Sequence, residues 1–177
     1  MLDFDVENVP PAIERAYVNL MIGIVGRGLV SASQIDEEVR EECKGFPIGF
    51  TLQMVVMPSG PSFTAQIQPD STLKLLKDYN GKVDLCARIK HMSHAFLMMT
   101  FQEGVAQAFA NDRLYVDGDV SQAIRMVRCL VRMEALILPK VVAEQALKRY
   151  PIIALGKKLN LATRIYGRVV SNLLKGD

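Results

Sequence analysis

The stretch AFANDRLYVDGD, residues Ala108–Asp119, decides how the rest of the chain is read. Asp112, Asp117 and Asp119, with Arg113, crowd around the apolar run Leu114, Tyr115, Val116. That suits a catalytic loop, a metal loop, or a joint between helices and a strand. The aspartate spacing fails the EF-hand pattern, whereas Asp and Gly are favoured at turns and helix caps for backbone reasons. Read as a joint, the stretch predicts a short helix ending at Ala110, a turn at Asn111-Asp112 and a strand over 113–116. Asp117-Gly118 then closes the strand, and Asp119 or Ser121 caps a long helix through Ala123, Ile124, Val127, Leu130, Val131 and Ala135.

Upstream of this joint the hydrophobic period changes twice. From Pro10 to about Val25 an apolar helical face runs through Ile13, Tyr17, Leu20, Met21 and Ile24, with Gly26 and Gly28 predicting its end. Ser33, followed by Asp36 and Glu37, predicts the cap of a short acidic helix through about Cys43. Over Ile48–Met57 the period becomes two, and PSGP turns the chain into Phe63, Ala65 and Ile67, which predicts an antiparallel hairpin. Asn80-Gly81 is a tight-turn signal between Leu73–Tyr79 and the alternating KVDLCARIK, so both flanks are read as strands. HMSHAFLMMTFQEG returns to a helical period, with Ser93 as the expected cap and Gly104 as the expected stop, and VAQAFAN supplies a second short helix. The expected fold class is α+β, with helices covering one side of the sheet.

Composition narrows the function classes. Half of the 177 residues are hydrophobic, enough for a sizeable core without disulfides or metals. Basic and acidic side chains nearly cancel, which gives no global case for nucleic-acid binding. Their distribution is uneven: residues 1–139 carry 13 Lys/Arg against 17 Asp/Glu, and residues 140–177 carry 8 against 2. Cys43, Cys86 and Cys129 form no CxxC pair, so neither a disulfide framework nor a zinc site is expected, and a reducing cytosol is the expected setting. The acidic N-terminus MLDFDVENVPP has no secretory pattern, and AYVNLMIGIVG and MEALILP read as too short to span a bilayer.

The motifs that could carry chemistry are weak. GIVGRG lacks a preceding strand and a following GK[ST], so helix termination explains it better than a phosphate loop. His91 and His94 have HxxH spacing, but no third ligand can be named and no metal is expected. No nucleophile elbow or dinucleotide fingerprint is present, and the expectation is a protein without catalytic residues or cofactors. Nine methionines and no tryptophan form an adaptable apolar vocabulary suited to ligands of varied shape.

AFANDRLYVDGDVSQAIRMVRCLVRMEALILPK, with the preceding FQEG, resembles the C-terminal half of the sterol carrier protein-2 family. The alanine-rich short helix is Val105–Ala110, the strand Arg113–Asp117, the Gly118-Asp119 turn its most specific mark, and the long helix Val120–Leu138. The resemblance implies a five-stranded, mainly antiparallel sheet with helices on one face, and an apolar tunnel that holds fatty acyl, sterol-like or isoprenoid lipids. It covers residues 46–139, leaving 1–45 as N-terminal helices packed on that domain and 140–177 as a basic helical extension. By alternation the expected lining is Phe50, Leu52 and Met54 from the sheet, Phe96, Met99 and Phe109 from the covering helices, and Ile124 and Val127 from the long helix. The peroxisomal SKL ending seen in that family is replaced by LLKGD, which favours a cytoplasmic setting.

The function expected from these readings is non-enzymatic binding or transfer of a hydrophobic lipid. The alternative is an accessory or scaffold subunit that presents lipid intermediates to partner enzymes, for example in quinone synthesis. In the tail, Leu159, Ala162, Ile165, Tyr166, Val169 and Leu173 fall on one helical face among Lys157, Lys158, Arg164, Arg168 and Lys175. That face either packs on the domain or docks on anionic membranes through residues 157–175.

Overall fold

Alternation builds the sheet. In the computed structural model, which describes residues 9–137 and 155–175, the strands are β1 (Thr51–Val56), β2 (Ser62–Ile67), β3 (Leu73–Leu76), β4 (Leu85–Ile89) and β5 (Leu114–Asp117). Their spatial order is β3-β2-β1-β4-β5, with β1 and β4 parallel and every other neighbour antiparallel. The register places Leu52 beside Ala65 and Leu85, Met54 beside Phe63 and Ala87, and Ile89 beside Leu114. One face is thus wholly apolar, and it carries the core. The opposite face holds polar pairs: Gln53 Nε2 donates to Thr64 Oγ1 at 3.1 Å, and Arg88 lies 3.6 Å from Asp117. This is the α+β, five-stranded, mainly antiparallel arrangement expected, with one parallel pair at its centre.

That parallel pair corrects the reading of Asn80-Gly81. The segment does not close a hairpin, because β3 pairs with β2 while β4 pairs with β1, so it belongs to the crossover from the β3 edge to the far side of β1. Thr51 and Asp84 fix the landing point. Thr51 donates to the Asp84 carboxylate from its backbone N–H at 2.9 Å and from its hydroxyl at 2.8 Å, and the Asp84 N–H donates to the Thr51 carbonyl at 3.2 Å. These bonds hold the Asp84 carboxyl below the usual carboxylate range.

The helices are α1 (Pro11–Ile35), α2 (Glu37–Lys44), α3 (Met92–Met99), α4 (Val105–Ala110), α5 (Val120–Ile137) and α6 (Leu155–Lys175). α1 does not end at its glycines. A Cβ on Gly26 would sit 2.8 Å from the Phe63 ring, and one on Gly28 would sit 2.8 Å from Met133 Sδ. Both glycines therefore serve close packing, against β2 on one side and α5 on the other. α1 is long and apolar enough to cross a membrane by length and composition, yet half of that window is buried inside the molecule.

The cap of α2 is Asp36 rather than Ser33: its Oδ1 accepts from the Val39 N–H at 3.1 Å. Ser33 lies within α1, donating to the Val30 carbonyl at 2.7 Å and accepting from the Leu73 N–H at 2.9 Å, which ties α1 to the edge strand. His91, not Ser93, occupies the N-cap of α3, and Gly104 begins α4 instead of stopping α3. The joint at 111–119 matches its reading closely. Gly118 has φ +140°, and a Cβ there would lie 2.7 Å from Leu85 Cδ1, so the turn demands glycine. Asp119 caps α5, accepting from the Gln122 N–H at 3.1 Å. The expected last residue of that helix, Leu138, lies outside the described residues.

Candidate functional site

Helix α1 lies over the apolar face of the sheet, and α3 is pinned to it: the Tyr17 hydroxyl donates to the Met99 carbonyl at 3.0 Å, and the Tyr17 and Phe96 rings meet edge-on at 5.4 Å. Between α1, β1, the α3–α4 connection and α5 a partly enclosed cavity of about 240 Å³ remains. α1 contributes Met21, Ile24 and Val25, β1 contributes Met54, and α3 contributes Met98 and Met99. Phe101, Glu103, Gly104 and Val105 form the next stretch of wall, and Leu130, Met133, Glu134 and Ile137 of α5 close the opposite side. Tyr166 of α6 completes it, with its hydroxyl donating to the Ile137 carbonyl at 2.6 Å.

Among the described residues the wall is mostly thioether and aliphatic carbon, with three polar side chains. Glu103 is buried, accepts from Asn111 Nδ2 at 2.6 Å and lies 3.3 Å from Arg113. The Tyr166 phenol is held to α5, and burial raises its pKa. Glu134 differs from both: burial alone pushes its carboxyl up to about 7.

Of the eight lining residues expected from the sequence, Met54 and Met99 line this cavity. Leu52 and Phe96 are buried in the surrounding core, and Phe50 packs against its margin, 5.4 Å from the Phe46 ring. Val127 is half-buried. Two expectations fail on orientation, because Phe109 is 59% exposed and Ile124 is 50% exposed. α5 is turned so that Met126, Cys129, Leu130 and Met133 face inward, a rotation set by its docking on α2. There Arg132 lies 3.1 Å from Asp36 and 2.9 Å from Glu38, while Arg125 and Arg128 lie 3.4 and 3.3 Å from Glu42.

Sequence reasoning missed the contributions of α1 and α6, as well as Glu134. The last had a signal: Leu130, Glu134 and Ile137 follow helical spacing, which places an acid on an apolar stripe. His91 and His94 stack edge-on with ring centroids 5.2 Å apart, and burial, together with Arg113 and His91, lowers the His94 pKa. Among the described residues no group of three His, Cys, Asp or Glu could hold a metal ion. In α6, Leu161, Ile165 and Val169 are buried, while Leu159, Tyr166 and Val170 stay largely exposed, as does Arg164. Among the described residues the tail helix is therefore docked on the molecule by Leu161, Ile165 and Val169, a stripe turned from the expected face, and the Leu173 side chain lies outside the described residues.

No family model matches the chain, and no curated protein matches it. Among solved structures it is similar to a UbiJ-SCP2 ubiquinone synthesis protein, at 14% identity and TM-score 0.43, over 72% of this chain and 97% of that one. It is also similar to the apo form of sterol carrier protein 2 from Yarrowia lipolytica, at 16% identity and TM-score 0.43, over 63% and 87% of the two chains. A third likeness is to sterol carrier protein domain 2 of Helicoverpa armigera, at 16% identity and TM-score 0.42, over 59% and 81%. The sheet and helix order that the sequence resemblance implied are those observed, and these likenesses add neither a ligand nor an activity to that agreement.

Proposed function

We propose that the chain binds the apolar portion of a lipid-like molecule in this cavity and carries or presents it without chemistry of its own. The observation that supports this is the wall itself: methionines from α1, β1, α3 and α5 converge on one space that the core leaves unfilled. Each buried methylene is worth about 0.8 kcal/mol, so a chain segment gains affinity there without polar contacts. At about 240 Å³ the space is below the roughly 300–1,000 Å³ usual for a small-molecule site. A short segment fits as the cavity stands, and a longer chain requires the flexible methionines or α6 to give way.

Native mass spectrometry of protein purified without detergent tests this directly, with a copurified lipid as the expected result. Met99→Trp fills the cavity and should weaken binding of a fluorescent acyl-chain analogue by about tenfold or more, since it displaces roughly two methylenes' worth of contact. Failure of the parent protein to bind any lipid class would remove the proposal, and unchanged affinity in Met99→Trp would remove Met99 from the lining. The exposed Leu159, Tyr166 and Val170 stripe, on a helix that also carries the exposed Arg164, supports a second element of this reading, in which α6 meets anionic bilayers. Leu159→Glu with Val170→Glu should abolish salt-sensitive sedimentation with anionic liposomes, and equal sedimentation of both proteins would refute that contact.

A further inference from the structure

Two of the three polar groups in the cavity wall are already engaged: Glu103 by Asn111 and Arg113, and Tyr166 by the Ile137 carbonyl. Glu134 makes no hydrogen bond or ion pair with another described residue, although it lines the same space. An unpartnered carboxyl beside apolar surface costs folding free energy, so its place between Leu130 and Ile137 on the inward stripe calls for a compensating role. We propose that Glu134 recognises the head group of the bound lipid and selects an uncharged, hydroxyl-bearing head over an anionic one. This rests on the reading of the cavity as a lipid site and names the class of lipid.

The selection follows from which charges face the cavity. α1 presents Met21, Ile24 and Val25, and β1 presents Met54, none of them charged. The α3–α4 connection presents a second acid, Glu103, and α6 presents the phenol of Tyr166, while no lysine or arginine is among the described lining residues. A permanently anionic head meets like charge in a medium of low dielectric whenever Glu134 is ionised. A hydroxyl is compatible with both protonation states, since it donates to the carboxylate and accepts from the neutral acid.

The test is displacement of Nile red, an uncharged dye, from the full chain by decanol and by decane-1-sulfonate, which share a tail and differ in the head. At about pH 8 decanol should displace the dye at roughly tenfold lower concentration, and Glu134→Gln should shrink that gap to about threefold or less. In the unaltered protein the gap should also narrow as pH falls toward about 5.5, because the sulfonate stays ionised while the carboxyl gains its proton. Tyr166→Phe should leave the gap in place. Equal displacement by the two ligands at about pH 8, or a gap that survives both Glu134→Gln and the pH change, overturns the head-group assignment while leaving tail binding intact. Failure of both ligands to displace the dye removes the cavity reading itself.

Discussion

Replacing Arg132 with Met isolates the interaction that docks α2 on α5. The Arg132 side chain is 11% exposed and lies 3.1 Å from the carboxylate of Asp36, which is 2% exposed. Its second partner, Glu38, is 2.9 Å away but 63% exposed, so screening limits that pair to about 0–1 kcal/mol. The cost of Arg132→Met therefore falls on Asp36, left charged and buried with only the Val39 N–H at 3.1 Å to hold it. Breaking a buried pair from one side costs about 3–5 kcal/mol. Asp36→Asn keeps a good helix cap while removing the charge, so Arg132→Met in that background should cost about 1 kcal/mol or less. Urea unfolding of the four proteins, with equal m-values as the check on comparability, measures both numbers. An equal cost in the two backgrounds would refute the argument, because it would mean that Arg132 acts through packing and not through the Asp36 charge.

Gly26→Ala should destabilise the fold by about 1–3 kcal/mol in the same assay, since overpacking against the Phe63 ring outweighs the ~1 kcal/mol gain in helix propensity. A more stable variant would show that α1 and β2 can separate freely. The Glu134 carboxyl has a folded-state pKa raised from 4.5 to about 7, so the folded protein holds that proton after the unfolded chain has released it. Its contribution to stability is therefore intact below about 4.5 and declines as pH rises to about 7, at about 1.4 kcal/mol per unit of separation before allowance for solvent screening. Thermal melts across this window should fall more steeply for the parent protein than for Glu134→Gln, and parallel curves would contradict the burial of that carboxyl.

How much of this was legible in the sequence depends on the range of the forces involved. The strands and the 111–119 joint could be read because alternation and turn chemistry are local, and Gly118 and Asp119 have local reasons to be where they are. Gly26 and Gly28 misled because a glycine that ends a helix and one that lets a helix approach a ring look identical in one dimension. Asn80-Gly81 misled similarly: it bends the chain, but the Thr51–Asp84 bonds decide which strand receives β4. Ile124 and Phe109 were assigned to the lining because their helices were expected to face only the sheet. The orientation of α5 depends equally on arginines that reach an acidic helix distant in sequence. For the cavity, the methionines of β1 and α3 were visible as candidates, while the wall supplied by α1 and α6 depends on tertiary packing alone.

The wall joins the two ends of the described chain. Met21, Ile24 and Val25 come from its first helix and Tyr166 from its last, and Arg168 of α6 is hydrogen-bonded to Gln34 of α1. During synthesis the sheet and its flanking helices can therefore be complete while this compartment still lacks a side. A chain from which α6 has not yet emerged has the sheet but not the Tyr166 side of this wall. A protease that severed α6 would likewise take away one side of the compartment, while the sheet kept the ladder of its own five strands.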